Sequence, residues 1–266
     1  MGRRTFLNFV CALALCALAA VGASAQDFQK SYNLGEGGSV EIANVSGDIN
    51  LTGYEGSAVV VSAHKEGRDR DVVEVVDEST QGRVSLRADY PNNCRRCEAS
   101  LRFEVRVPRS SGISFDKIST ASGNVKAEGF SARLHLSTAS GDVTVRGVGG
   151  EIKASSASGT VRVAEATGTV NASTASGDVE VELTRVEGTG SMRFSSASGD
   201  VRVRMPSGID AHVSLSTASG DIDTNFPLEV KHDRYGSGTR AEGQLGSGAR
   251  ELKISTASGN VSFKSI

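Results

Sequence analysis

One heptad, Ser-Thr-Ala-Ser-Gly-Asp-Val, recurs with small variations seven times along this chain, starting at Ser119, Ser137, Ser155, Ser173, Ser195, Ser216 and Ser255. The first four copies are 18 residues apart, and the later steps of 22, 21 and 39 residues read as the same unit carrying insertions. Self-similarity at a fixed period constrains architecture before any single residue does, because each copy must trace the same path and bury its apolar side against its neighbours.

The local pattern within a unit is strand, turn, strand. Leu134, Leu136 and Thr138 fall on one side while His135 and Ser137 fall on the other, and Val143 and Val145 alternate with Thr144 and Arg146. Ala139-Ser140-Gly141-Asp142 between them is a turn, with glycine where a positive φ is expected and Asp able to bond back to the backbone. The turn glycines of the copies are Gly123, Gly141, Gly159, Gly177, Gly199, Gly220 and Gly259. A weaker nine-residue recurrence of Gly-x-Val or Gly-x-Ile halves the unit, which is too short for a propeller blade and lacks the helix of a leucine-rich repeat. The pattern predicts an all-β, parallel β-solenoid (β-helix) of about 18-residue coils, expected to be right-handed.

In that arrangement Ile118, Leu136, Ala154, Ala172, Phe194, Leu215 and Ile254 form one inward column, and Val125, Val143, Val161, Val179, Val201, Ile222 and Val261 form another. Burying each large aliphatic side chain is worth roughly 1.5–3 kcal/mol, which one coil alone cannot realise. The heptad Ser and Thr are expected to stack as hydroxyl ladders between coils, on opposite faces.

The flanks are less regular. Residues 26–118 contain a degenerate heptad, Asn44-Val45-Ser46-Gly47-Asp48-Ile49, and read as irregular capping coils, with a separate small β domain as the alternative. Residues 119–266 are the repeats, interrupted at about 223–248 by an insertion. It contains Phe226 and Tyr235 and reads as a hairpin or loop, a candidate binding loop where the repeat is broken or simply a flexible connection. At the other end, Arg3 and Arg4, an apolar run from Phe9 to Val21, and Ala23-Ser24-Ala25 have the layout of a signal peptide over 1–25, with Sec and twin-arginine export both open.

Removing Arg3 and Arg4 leaves 27 basic residues (29 − 2) against 31 acidic ones, a formal charge of −4, which argues against nucleic acid as a partner. The leader also removes Cys11 and Cys16, so the mature chain keeps Cys94 and Cys97 in Asn-Cys-Arg-Arg-Cys. In an oxidising compartment this spacing suits a tight local disulfide; a redox pair would want a thioredoxin-like setting, and a zinc site two more ligands.

Taken together, Gly38-Ser39-Val40-Glu41-Ile42, the degenerate heptad at Asn44, the Val107-Pro108 turn and the tandem heptads resemble the bacterial DUF4097 proteins over essentially the whole mature chain. Those are described as adhesins with a β-strand repeat and are similar to the adhesin-head DUF2807 group. The resemblance implies a β-helical exported protein and brings no catalytic residue with it.

Two other chemistries match parts of the pattern. Gly-Asp-hydrophobic at a nine-residue period is reminiscent of calcium-binding β-rolls, but the acidic position reads Asn124, Asp142, Thr160, Asp178, Asp200, Asp221 and Asn260, and Thr160 cannot replace a carboxylate. A carbohydrate-active enzyme on a β-helix would need paired carboxylates at one place, whereas Glu151, Glu180 and Glu182 alternate with Lys153, Arg162 and Arg202 like a solvated face. The expectation is therefore a non-enzymatic protein with no catalytic residue, metal or cofactor, exported to the periplasm or cell surface. It would have no membrane span once the leader is removed, and would bind a surface ligand such as a glycan or an envelope protein, or serve as an envelope scaffold.

Overall fold

The computed structural model describes residues 27–91, 94, 97–232 and 238–266. The expected leader over 1–25 and Tyr235 lie outside the described residues. The fold is all-β: strands dominate, the described helical structure is one 3-10 turn at Arg70–Val72, and the sheet is nearly closed and barrel-like around one apolar interior. Every strand belongs to a single hydrogen-bonded sheet.

Each heptad joins a strand that leads into it, on what we call the serine face, to a strand that leaves it, on the charged face. Ser131–Ser140 turns through Gly141 into Val143–Arg146, and Gly149–Ser158 turns through Gly159 into Val161–Ser176. The long strand Val161–Ser176 serves both faces and joins them. Adjacent tiers pair in parallel, 18 residues out of step: Leu136 opposite Ala154, Ser137 opposite Ser155, Val143 opposite Val161. The side-chain period of two then sends one row of each strand inward. Ile118, Leu136, Ala154, Ala172, Phe194, Ile254 and Leu215 are buried, as are Val125, Val143, Val161, Val179, Val201 and Val261, while Ile222 at the end of its column is half-buried.

The order of tiers in space departs from the order in sequence at both ends. The tier of Met192–Ser198 and Val201–Met205 is followed by that of Glu251–Ser258 and Val261–Ser265. The earlier segment Ala211–Ser219 and Ile222–Thr224 lies outermost. The inward column therefore runs Phe194, Ile254, Leu215, not Phe194, Leu215, Ile254 as the sequence order suggests. The other end mirrors this. Ser39–Ser46 and Ile49–Tyr54 lie between Ser110–Glu128 on one side and the tier of Arg83–Asp89 and Ser100–Pro108 on the other.

Antiparallel strands cover the outermost tiers. Val59–Glu66 pairs with Ser100–Pro108 and carries Phe28–Tyr32 beyond it, and Glu74–Asp77 pairs with Arg83–Asp89. At the far end the insertion forms the antiparallel pair Glu229–His232 and Thr239–Leu245, the latter laid on Ala211–Ser219. The insertion is thus a terminal cover, and it also gives the chain the length to step back inward by one tier. Phe226 is buried and stacks on Phe263 with ring centroids 4.2 Å apart, so its ring fills the interior instead of standing on a binding loop.

The heptad's polar residues bond differently from the expected hydroxyl ladders. The Thr is buried, and its hydroxyl donates to the glycine carbonyl of the neighbouring tier: Thr138 to Gly123 O at 2.8 Å, Ser156 to Gly141 O at 2.9 Å, Thr174 to Gly159 O at 2.9 Å and Thr256 to Gly199 O at 2.9 Å. A buried carbonyl without a donor costs about 1–3 kcal/mol, and the second heptad position meets that need in every heptad tier but the outermost, where Thr239 of the covering strand donates to Gly220 O at 3.1 Å. In the degenerate copy Asn44 takes this place, and its amide donates both to Gly47 O and, one tier further, to Leu101 O.

The Asp or Asn after the glycine reaches between tiers and not back into its own turn. Its Oδ1 accepts the next tier's backbone N–H: Asp48 from Asn124, Asn124 from Asp142, Asp142 from Thr160, Asp178 from Asp200, Asp200 from Asn260 and Asn260 from Asp221. The glycines themselves stack. Gly159 has φ near 151° and a Cβ there would lie 2.0 Å from the carbonyl oxygen of Gly141, with equivalent clashes at Gly141 and Gly177. Both the backbone conformation and the close approach exclude a side chain.

Candidate functional site

The two outer faces differ in chemistry. On the charged face, Arg162 reaches Glu180 across tiers at 2.8 Å, Arg202 reaches Asp178 at 2.9 Å and Asp200 at 2.5 Å, Arg204 reaches Glu182 at 3.7 Å, and Lys264 pairs with Asp223. Burial pushes the Asp178 carboxyl up, but Arg202 and the Asp200 amide outweigh it and hold it below the usual carboxylate range. Signs alternate along the tube, so this face is largely self-neutralised. Each exposed pair contributes about 0–1 kcal/mol.

On the serine face, the first heptad residue forms a hydroxyl row through Ser119, Ser137, Ser155, Ser173, Ser195 and Ser255, half-buried except for the exposed Ser173. Two residues earlier, where the strand again points outward, the tiers in spatial order present His135, Lys153, Asn171, Arg193 and Lys253 in register, with Lys117 ahead of His135 across a register shift. Acids bound this row: Glu41 lies opposite Lys117, and beyond Lys253 comes Ser214 and then Glu242. Asp116 is beside Lys117, and Glu151 pairs with Lys153 at 2.9 Å and with Arg133 at 3.4 Å. The Lys153 ammonium, ahead of the opposing effect of burial, holds the Glu151 carboxyl below its ordinary value. No acid forms an ion pair with Arg193 or Lys253 among the described residues.

The row dips where Asn171 is shorter than its neighbours and turns its side-chain oxygen to the Arg193 amide at 3.0 Å. The result is a shallow depression of about 280 Å³ lined by His135, Lys153, Asn171, Arg193 and the serines beside them. The row lies outside the heptad, so the repeat itself does not mark it. The signal lies two residues ahead of each copy and reads Lys, His, Lys, Asn, Arg, Ser, Lys.

The turn glycines occupy one stacked column at the edge of the tube, where they shape the backbone and present no functional group. Cys94 and Cys97 are joined as a disulfide with Cα atoms 5.2 Å apart, in the connection between Arg83–Asp89 and Ser100–Pro108. Each heptad carboxyl or amide oxygen named above already accepts a backbone N–H, which leaves it poorly disposed to join an oxygen cage. Among the described residues, no cluster of three or more His, Cys, Asp or Glu has the geometry to hold a metal, and no helix is long and apolar enough to cross a membrane.

Several solved structures are similar to this chain. One, from Clostridium sporogenes and provisionally described as a cell adhesion protein, is 13% identical with a TM-score of 0.37, covering 90% of this chain and 99% of that one. A Bacteroides fragilis protein, provisionally described as an adhesin, is 12% identical with a TM-score of 0.32, covering 90% and 96%. A Parabacteroides distasonis protein, provisionally described as lipid binding, is 8% identical with a TM-score of 0.34, covering 90% and 96%. No curated protein matches the chain. The Toastrack DUF4097 family profile matches residues 35–264, nearly all of the described chain, and the protein belongs to that family.

Proposed function

We propose that the chain is an exported, non-enzymatic β-solenoid of about 18-residue coils that serves adhesin-like binding at the cell envelope. The observation that carries this reading is the serine face: an extended, shallow, polar surface of hydroxyls and cations held by a backbone whose every tier is bonded to the next. Surfaces of this kind contact extended polymers over many tiers through weak, repeated interactions, and they lack the enclosed, water-excluding pocket on which most catalysis depends. The leader-like segment over 1–25 supports export, with a mature chain beginning near Gln26.

The test combines cell fractionation with screening of residues 26–266 against glycan and extracellular-matrix arrays. The reading expects the protein outside the cytoplasm, shortened at about Gln26, and retained by at least one array ligand. A full-length cytoplasmic protein would overturn export. A fractionated but wholly non-binding protein would replace binding with a scaffold role.

A further inference from the structure

We propose that the outward row Lys117, His135, Lys153, Arg193 and Lys253 is a track for a linear anionic glycan bearing carboxylate or sulfate groups and lying along the tube axis. This rests on the binding role proposed above and gives it a place and a ligand class.

Four observations converge. First, the row is periodic from His135 to Lys253: His135, Lys153, Asn171, Arg193 and Lys253 pair in register, so adjacent positions are about 4.8 Å apart, comparable with the advance of one sugar unit along an extended glycan, while Lys117 extends the row across a register shift. Second, its charge is available, because Arg193 and Lys253 have no acidic partner among the described residues, in contrast to the paired arginines of the opposite face. Third, the depression around Asn171 is flanked by cations on both sides and gives a pyranose ring somewhere to sit below the level of the Lys153 and Arg193 side chains. Fourth, the serine row beside it supplies hydroxyl donors and acceptors at the same spacing, suited to sugar hydroxyls.

The row also has ends. Glu41 closes one side and Glu242 the other, so a polyanion is favoured along the central tiers and repelled beyond them. Charge complementarity at this scale favours a polymer, since a single monovalent anion would gain only one exposed contact.

The test uses residues 26–266 with polygalacturonate as the probe. Neutral dextran and vesicles of phosphatidylglycerol in phosphatidylcholine are run alongside. Two double variants are compared, Arg193→Gln/Lys253→Gln on the row and Lys126→Gln/Arg204→Gln on the opposite face. All four positions are solvent-facing, and retention of the wild-type melting temperature and strand spectrum checks that each variant is folded. Polygalacturonate is expected to bind, to weaken as salt is added, and to lose about tenfold or more in affinity in the row variant only.

Equal loss in both variants would reduce the effect to non-specific charge and overturn the track. Binding of vesicles but not polymer through Arg193 and Lys253 would replace the glycan with a lipid surface. Array capture of a neutral ligand with polygalacturonate silent would overturn the track while leaving the binding role intact; silence on every array would remove both.

Discussion

The middle of the molecule and its two ends are built from the same heptad yet obey different rules of order. Between Ser119 and Met205 each tier lies on the tier that precedes it in sequence, and the pairing advances by 18 residues, or 22 where a loop is added. At the ends the chain skips. Asp48 receives the amide of Asn124 from 76 residues away, and Ser216 reaches Ser195 only through Ser255. The glycine column and the Asp/Asn ladder specify how a tier fits its neighbour, and every heptad offers them the same fit. They do not specify which heptad the neighbour is.

The choice is made at the steps that skip, and these need no long loop: Arg109 alone links the outer tier of Ser100–Pro108 to Ser110–Ser122 on the far side of residues 39–54, and residues 206–210 carry the chain from Val201–Met205 to the outermost Ala211–Ser219. At that far end the stretch 225–250 then brings the chain back inward by one tier. Each end thereby places a full heptad tier second from the edge and covers the exposed edge with antiparallel strands, which blunts a surface that would otherwise invite pairing with another chain.

The sharpest way to break this comparison is cross-linking. Ser195 and Ser216 both flank Ser255, so Ser195→Cys with Ser255→Cys places the two Cα atoms about 4.8 Å apart, within disulfide range, while Ser195→Cys with Ser216→Cys leaves them about 9.6 Å apart, outside it. Mild oxidation followed by mass analysis is expected to yield the first bridge and not the second. The reverse result would restore sequence order at this end.

Next in size is the glycine column of the centre. Gly159→Ala puts a methyl group 2.0 Å from a neighbouring carbonyl at a φ near 151°, and we expect a loss of more than about 3 kcal/mol by denaturant unfolding. Gly147→Ala, in a connection where φ is 58° and nothing lies within 4 Å, should cost only about 1 kcal/mol. Similar losses at the two sites would mean that tier stacking tolerates adjustment and that φ alone is being read.

These contrasts also mark what the sequence made legible. The heptad announced strands, a turn and two apolar columns, and the side-chain period of two was enough to place Leu136 and Val143 inside. It did not announce tier order, because identical copies carry no address. Nor did it reveal that Thr138 bonds a backbone carbonyl, since a buried and an exposed hydroxyl look alike until the corner is built. The cationic row was legible at a fixed offset but spread over six tiers, where only pairing in space brings Arg193 beside Lys253.

The N-terminal end carries a more strongly pH-dependent contact than those at Asp178 and Glu151 in the centre. Asp77 is mostly buried and accepts from Lys30 at 2.6 Å and from the Tyr32 hydroxyl at 2.9 Å. Burial opposes its charge, but these donors together with Ser79 hold its carboxyl well below the usual range. Burial, reinforced by the Asp77 acceptor, keeps Tyr32 protonated. A depressed folded pKa gives stability that is present above the unfolded value of about 3.9 and is lost as pH falls through the folded one. Asp77→Asn should therefore cost about 1–2 kcal/mol at neutral pH, and the gap to wild type should narrow below about pH 4. A gap unchanged down to strong acid would assign the loss to packing instead of charge.

The smallest expected effect tests whether the Asp/Asn ladder stabilises the centre at all. The ladder is interrupted at Thr160, which accepts nothing from the tier above. The Asp142 and Asp200 amides have side-chain acceptors at 2.9 Å, whereas the Asp178 amide, between them, has no Asp or Asn oxygen beneath it. Thr160→Asn would restore the missing acceptor without placing a third carboxylate between Asp142 and Asp178. If each rung contributes as an ordinary hydrogen bond does, the variant gains about 0.5–1 kcal/mol, read as a rise in the denaturant midpoint at unchanged slope. Asn124→Ala, which removes the rung to Asp142, should lose a similar amount. A neutral Thr160→Asn beside a damaging Asn124→Ala would place the value of the ladder in fixing tier register, with little net stability per rung, and would explain why one break in the centre is tolerated.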